Sequence, residues 1–82
     1  MKQVAKVDCE GRVFLVFEDD RGFWAVENKH VSITGNFCRD NAMRRDSKDE
    51  AINAIVATVN IDKIVEETGM SRLDAITKYY FG

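Results

Sequence analysis

The chain changes its hydrophobic period once. As far as Val26 the apolar residues alternate or run together, and from Ile52 onward they return every third or fourth position. In Val4-Ala5-Lys6-Val7-Asp8-Cys9 the alternation sets Ala5, Val7 and Cys9 on one face of a strand. Glu10-Gly11 follows, a pair suited to a two-residue hairpin turn because glycine accepts positive φ. Val13-Phe14-Leu15-Val16-Phe17 is apolar at every position. Such a run predicts a strand that must be covered on both faces. Glu18-Asp19-Asp20-Arg21-Gly22 has turn composition, and Phe23-Trp24-Ala25-Val26 predicts a third strand. Val31-Ser32-Ile33-Thr34 predicts a short fourth one. Residues 35–46 are polar and carry Arg39, Arg44 and Arg45, which predicts a connecting loop from sheet to helices.

The second period begins at Ser47-Lys48-Asp49-Glu50, a capping box in which hydroxyl and carboxylate each satisfy an orphan amide. Ile52, Ile55, Val56 and Val59 share one helical face. Asn60 is a residue type that ends one helix and caps another, and Ile61, Ile64, Val65 and Thr68 carry the spacing to Gly69. Ser71 with Asp74 repeats a weaker cap, after which Leu73, Ile76 and Tyr80 predict a short last helix. The expected fold class is α+β: an antiparallel three- or four-stranded β-meander followed by two or three helices packed on one face. It forms a single domain over 1–82, with the meander in 1–34, the loop in 35–46 and the helical part in 47–82.

Length bears on how well this fold can be stabilised. A chain of 82 residues buries only roughly 60–65% of the surface it exposes when unfolded. Apolar residues are 45% and charged residues 32% of the total, and the apolar ones are clustered, which argues for a packed core rather than disorder. The net charge of −2 supplies no bulk attraction to nucleic acid or to an anionic membrane. Cys9 and Cys38 lack the spacing of a disulfide framework or a zinc site, so no metal and no cofactor is expected. The apolar core of a secretory leader is missing from the first residues, and no apolar run approaches the roughly 20 residues of a membrane span. A cytoplasmic protein with no membrane contact is expected.

One segment has a pattern with a mechanism. Residues 60–80 carry an apolar pair, Ile64 and Val65, a small turn residue, Gly69, then Met70, the cap Ser71, and the apolar Leu73 and Ile76. This resembles a helix-turn-helix unit. The resemblance implies that the second helix enters the major groove and that Ser71, Arg72, Asp74 and Lys78 face DNA. The same segment sets Lys63, Arg72 and Lys78 against Asp62, Glu66, Glu67 and Asp74. A basic footprint is therefore lacking.

Glu18, Asp19 and Asp20 are carboxylates of the kind that hold a cation, but solvated turn residues are commoner. Phe14, Phe17, Phe23 and Trp24 could stack bases, yet only Arg12 and Arg21 are close in sequence, so packing or a protein interface is expected. Tyr79-Tyr80-Phe81 is expected to dock on the core. His30 and the two thiols form no close set, and no enzyme activity is expected. With helices on one side of the sheet, the other side is expected to hold a protein interface that includes Val13, Leu15, Phe17 and Phe23, filled by a protein partner or by self-association. The leading expectation is a small non-enzymatic binding or regulatory module acting through protein–protein contacts. The alternative is a DNA-binding transcriptional regulator that uses residues 60–80.

Overall fold

A computed structural model describes residues 1–82. Four strands, β1 (Lys2–Cys9), β2 (Arg12–Asp19), β3 (Gly22–Glu27) and β4 (Ala42–Arg45), form one antiparallel sheet in the order β1-β2-β3-β4. Two helices follow, α1 (Lys48–Thr68) and α2 (Arg72–Phe81). The β1–β2 turn is Glu10-Gly11 with φ of 50° and 81°. Two consecutive positive values match the twist of a tight hairpin. In the β2–β3 turn the Asp19 carboxylate accepts a hydrogen bond from the Arg21 amide at 2.8 Å, an Asx turn.

Register assigns the faces. Val7 pairs with Phe14, Ala5 with Val16, and Val16 with Ala25. These residues, with Phe23 and Met43, lie under α1 and meet Ala51, Ile55 and Val59. On the opposite face Phe17 pairs with Trp24 and Leu15 with Val26. Residues 28–41, which join β3 to β4, fold across that face as a strap. Val31 and Phe37 form an isolated antiparallel bridge within it and pack on Leu15, Phe17 and Val26. Phe37 stacks on Phe17 with ring centroids 5.2 Å apart, and Arg39 lies over Trp24 at 4.6 Å. Leu15 and Phe17 are thereby reduced to 9% and 7% exposure.

Two boundaries differ from the sequence reading. The fourth strand is Ala42–Arg45 and not 31–34, so residues 35–46 are not wholly a connecting loop. The apolar character of Val31 and Phe37 serves the strap, whereas β4 is recruited by register, with Ala25 against Met43 and Trp24 against Arg44. The helices number two, because α1 runs through Asn60. The Asn60 side-chain Nδ2 donates to the Val56 carbonyl at 2.8 Å, and Ile61 is only 6% exposed. An unbroken apolar stripe outweighs the weak helix propensity of one asparagine. Gly69, at φ 72°, ends α1 by donating its amide to the Val65 carbonyl.

The sheet edges are guarded. β1 carries Lys2 and Lys6 and an irregularity between Gln3 and Ala5, and β4 is four residues long with two arginines. No helix is long and apolar enough to cross a membrane.

Gly22, at φ 134°, lies where a Cβ would sit 2.7 Å from the Arg45 carbonyl oxygen. Gly22→Ala is therefore expected to destabilise the fold by about 2–3 kcal/mol, combining backbone strain with displacement of β4. Urea unfolding measures this, and a loss below half that size would show that β4 yields freely. At the start of α1 the Ser47 hydroxyl accepts from the Glu50 amide at 3.1 Å. Ser47→Ala should cost about 1 kcal/mol in the same assay.

Candidate functional site

The helical hairpin decides what the chain presents to its surroundings. Ala75, Ile76 and Tyr79 of α2 pack on Ala57, Ile61, Ile64 and Val65 of α1, with Met70 closing the turn. Ala75, fully buried, brings the helices together at the point of contact. Ser71 caps α2, its hydroxyl accepting from the Asp74 amide at 3.2 Å. Arg72 donates to the Asp62 carboxylate. Asp74 and Lys78 are exposed and take part in no ion pair.

The outer face of α2 carries three large apolar side chains beside Asp74, Thr77 and Lys78. Leu73 is 72% exposed, Tyr80 60% and Phe81 86%. Two sequence expectations are corrected here. Leu73 does not pack within the hairpin, and of the last three aromatics only Tyr79 docks. The reason is phase. A single turn of linker after Gly69 sets Ala75 and Tyr79 inward, and Leu73 and Phe81 then fall on the opposite side of a 3.6-residue helix.

Of the four residues expected at an interface, Leu15 and Phe17 are buried under the strap, Val13 is half-buried on the same side, and Phe23 is half-buried on the helix side. The aromatics Phe14, Phe17, Phe23 and Trp24 are divided between two faces of the sheet. They form no common platform. Asp19 is not a freely solvated turn residue. It is 12% exposed, accepts from the Trp24 indole at 2.9 Å and pairs with Arg39 at 3.1 Å. The indole hydrogen bond, reinforced by Arg21 and Arg39, holds its carboxyl below the usual range despite the cost of burial.

Charged side chains gather where α1 and α2 meet the sheet. Arg12 donates to both carboxylate oxygens of Glu27, at 3.1 and 2.8 Å, and to Asp62 at 2.9 Å. Asp62 accepts in turn from Arg72, so four groups form one chain of alternating sign. The hydrogen bond from Arg12 holds the Glu27 carboxyl below its ordinary value. Partial burial pushes Asp62 upward, but the bonds from Arg72 and Arg12 outweigh it and its carboxyl also lies low. Below α2 a cleft of about 250 Å³ has Phe14, Ala25 and Met43 in its walls and Glu27, His30 and Arg72 at its polar side. Beside α1 a second, of about 320 Å³, is lined by Glu10, Arg12, Asp62 and Lys63, and here Lys63 pairs with Glu10 at 3.3 Å. In the second cleft Glu10 pairs with Lys63 and Arg12 with Asp62; in the first, Glu27 and Arg72 are held from outside by Arg12 and Asp62, and His30 and Asp40 take part in no ion pair. No three of the His, Cys, Asp and Glu side chains converge as a metal site would require. Cys9 is half-buried at the margin of the helix-side core, and Cys38 is exposed in the strap.

Comparison with protein-family models, with curated proteins and with solved structures found no match.

The charge chain sets an acid limit. Glu27 and Asp62 bind protons less readily when folded than unfolded. Their stabilisation is full at neutral pH and is lost as pH falls below about 4 through the folded values. Thermal midpoints should therefore decline between about pH 5 and pH 2. Asp62→Asn should cost about 1 kcal/mol at pH 7 and make that decline shallower. An unchanged acid limb in the variant would show that the chain contributes nothing to stability.

Proposed function

We propose that the chain is a small non-enzymatic binding or regulatory module that acts through protein–protein contacts, and that its contact surface is the outer face of α2. The observation that carries this is the exposure of Leu73, Tyr80 and Phe81 on one helix whose other side is fully engaged. Large apolar side chains gathered on a solvent face cost solubility without adding to the fold, and interfaces are enriched in aromatics. The sheet side, with Leu15 and Phe17 under the strap, offers little to a partner by comparison. The pairing of Glu10 with Lys63 and of Arg12 with Asp62 in the cleft beside α1 supports binding over catalysis there, because a reactive group needs an unpartnered approach to its substrate.

A second reading, DNA binding by a transcriptional regulator, draws support from connectivity. α1, the Gly69 turn and the Ser71-capped α2 follow the order of a helix-turn-helix. Its base-facing residues would be Ser71, Arg72 and Lys78. Against it, Ser71 is occupied as a cap and Arg72 is bound to Asp62, which leaves Lys78 beside Asp74. Affinity for duplex DNA rests on phosphate contacts, and these are too few here.

Site-directed photo-cross-linking separates the two readings. Benzoylphenylalanine in place of Tyr80 is expected to capture one reproducible protein in the producing cell. The same label at Lys6, on β1, is expected to capture none, and Leu73→Lys should abolish the product at 80. Fluorescence anisotropy with random duplex at low salt is expected to stay flat. Tight, salt-dependent binding lost in Arg72→Ala would replace the protein-contact reading with the DNA one.

A further inference from the structure

We infer that the partner of the outer face of α2 is α2 of a second copy of this chain, packed antiparallel across a two-fold axis close to Ile76 and Thr77. The inference rests on the proposed reading of that face as a contact surface, and adds to it the identity of the partner and the geometry of the contact.

At about 100° per residue, Tyr80, Leu73, Thr77, Phe81, Asp74 and Lys78 follow one another around the solvent side of α2. The face thus has an apolar flank, Tyr80 and Leu73, a centre of Thr77 and Phe81, and a charged flank, Asp74 and Lys78. A two-fold axis perpendicular to two antiparallel helices returns each flank to itself with its direction reversed. On the charged flank Asp74 then meets Lys78 of the second copy, and Lys78 meets Asp74, with Ile76 midway between them. On the apolar flank Leu73 meets Tyr80 of the second copy, and the midpoint falls between Ile76 and Thr77. Both flanks therefore call for the same axis. Phe81 closes over the Leu73 end on each side.

A parallel pairing fails the same test. A two-fold axis along parallel helices exchanges the flanks, so Asp74 and Lys78 of each copy face Leu73 and Tyr80 of the other and neither charge gains a partner. Asp74 and Lys78 are also the charges on this helix that no ion pair within the chain engages, while Arg72 is held by Asp62. The apolar area is modest. Each aromatic side chain offers roughly 150–250 Å² when wholly buried, well short of the roughly 800 Å² per partner of a standard interface from two such residues and a leucine. The pair is accordingly weak and reversible.

Sedimentation equilibrium of the whole chain over roughly 10 µM to 1 mM, where an interface below standard size becomes populated, tests this. A monomer–dimer equilibrium is expected. Asp74→Lys places lysine opposite lysine twice and should weaken the dimer about tenfold or more. The exchange Asp74→Lys with Lys78→Asp restores opposite charges at both contacts and should return affinity to within about threefold of the parent. Phe81→Ala, a change at an exposed helix end that leaves the core untouched, should also weaken the dimer. A monomer at every concentration, a dimer indifferent to Asp74→Lys, or an exchange variant as weak as Asp74→Lys alone would overturn the inference. A monomer that nonetheless cross-links at position 80 to a different protein overturns the second-copy inference and leaves the protein-contact reading standing. A chain that neither associates nor cross-links overturns both.

Discussion

Every position of β2 from Val13 to Phe17 is apolar, and β2 is paired on both edges, so the strand leaves neither face for water. An antiparallel sheet normally hides one face and solvates the other. Here both must be covered by a chain short enough that each residue counts. α1 covers Phe14 and Val16, and the strap covers Leu15 and Phe17. The remainder follows from that division. α1 must be long enough to span the sheet and still hold α2, and the β3–β4 connection must be long enough to cross a sheet face before it pairs.

The sequence was most informative where one physical demand acts alone. The β1–β2 hairpin turn, the start of α1 at Ser47 and its end at Gly69 each depend on local chemistry, and each is readable from two or three residues. β4 was not. Ala42-Met43-Arg44-Arg45 has neither the alternation nor the β-branched residues of a strand, and it exists because Trp24 and Ala25 lacked a neighbour on that edge. The strap is hidden for the same reason: Val31 and Phe37 flank Ser32-Ile33-Thr34-Gly35-Asn36, and the residues they pack on, Leu15, Phe17 and Val26, lie in other strands. Asp19 sits in an acidic turn sequence, and only the fold brings Trp24 and Arg39 to it.

The candidate site was legible in part. The end of one helix at Gly69 and the start of another after Ser71 were legible in the spacing of residues 60–80. Which side of α2 faces outward was not, because Leu73 and Ile76 have equal claims to a core and only the phase imposed by the Gly69 turn decides between them. The ion chain through Glu27, Arg12, Asp62 and Arg72 joins β3, β2, α1 and α2, four elements whose proximity is a tertiary fact. Through the pair of Arg72 with Asp62 it ties the start of α2 to the last third of α1.

The strap also makes the route to the native state hazardous. Its hold on the sheet comes from side chains, Phe37 on Phe17 and Arg39 between Asp19 and Trp24, with one isolated bridge in place of a ladder. Contacts of that kind require the strands they rest on to be in place. A chain with the three-stranded meander in place and the strap still open shows water a flat surface of leucine, phenylalanine, tryptophan and valine beside an unpaired β3 edge. Exposed apolar surface next to a free strand edge is what draws partly folded chains together. The fourteen residues from Asn28 to Asn41 therefore act as a built-in cover that keeps the outer side of β2 out of reach of other chains.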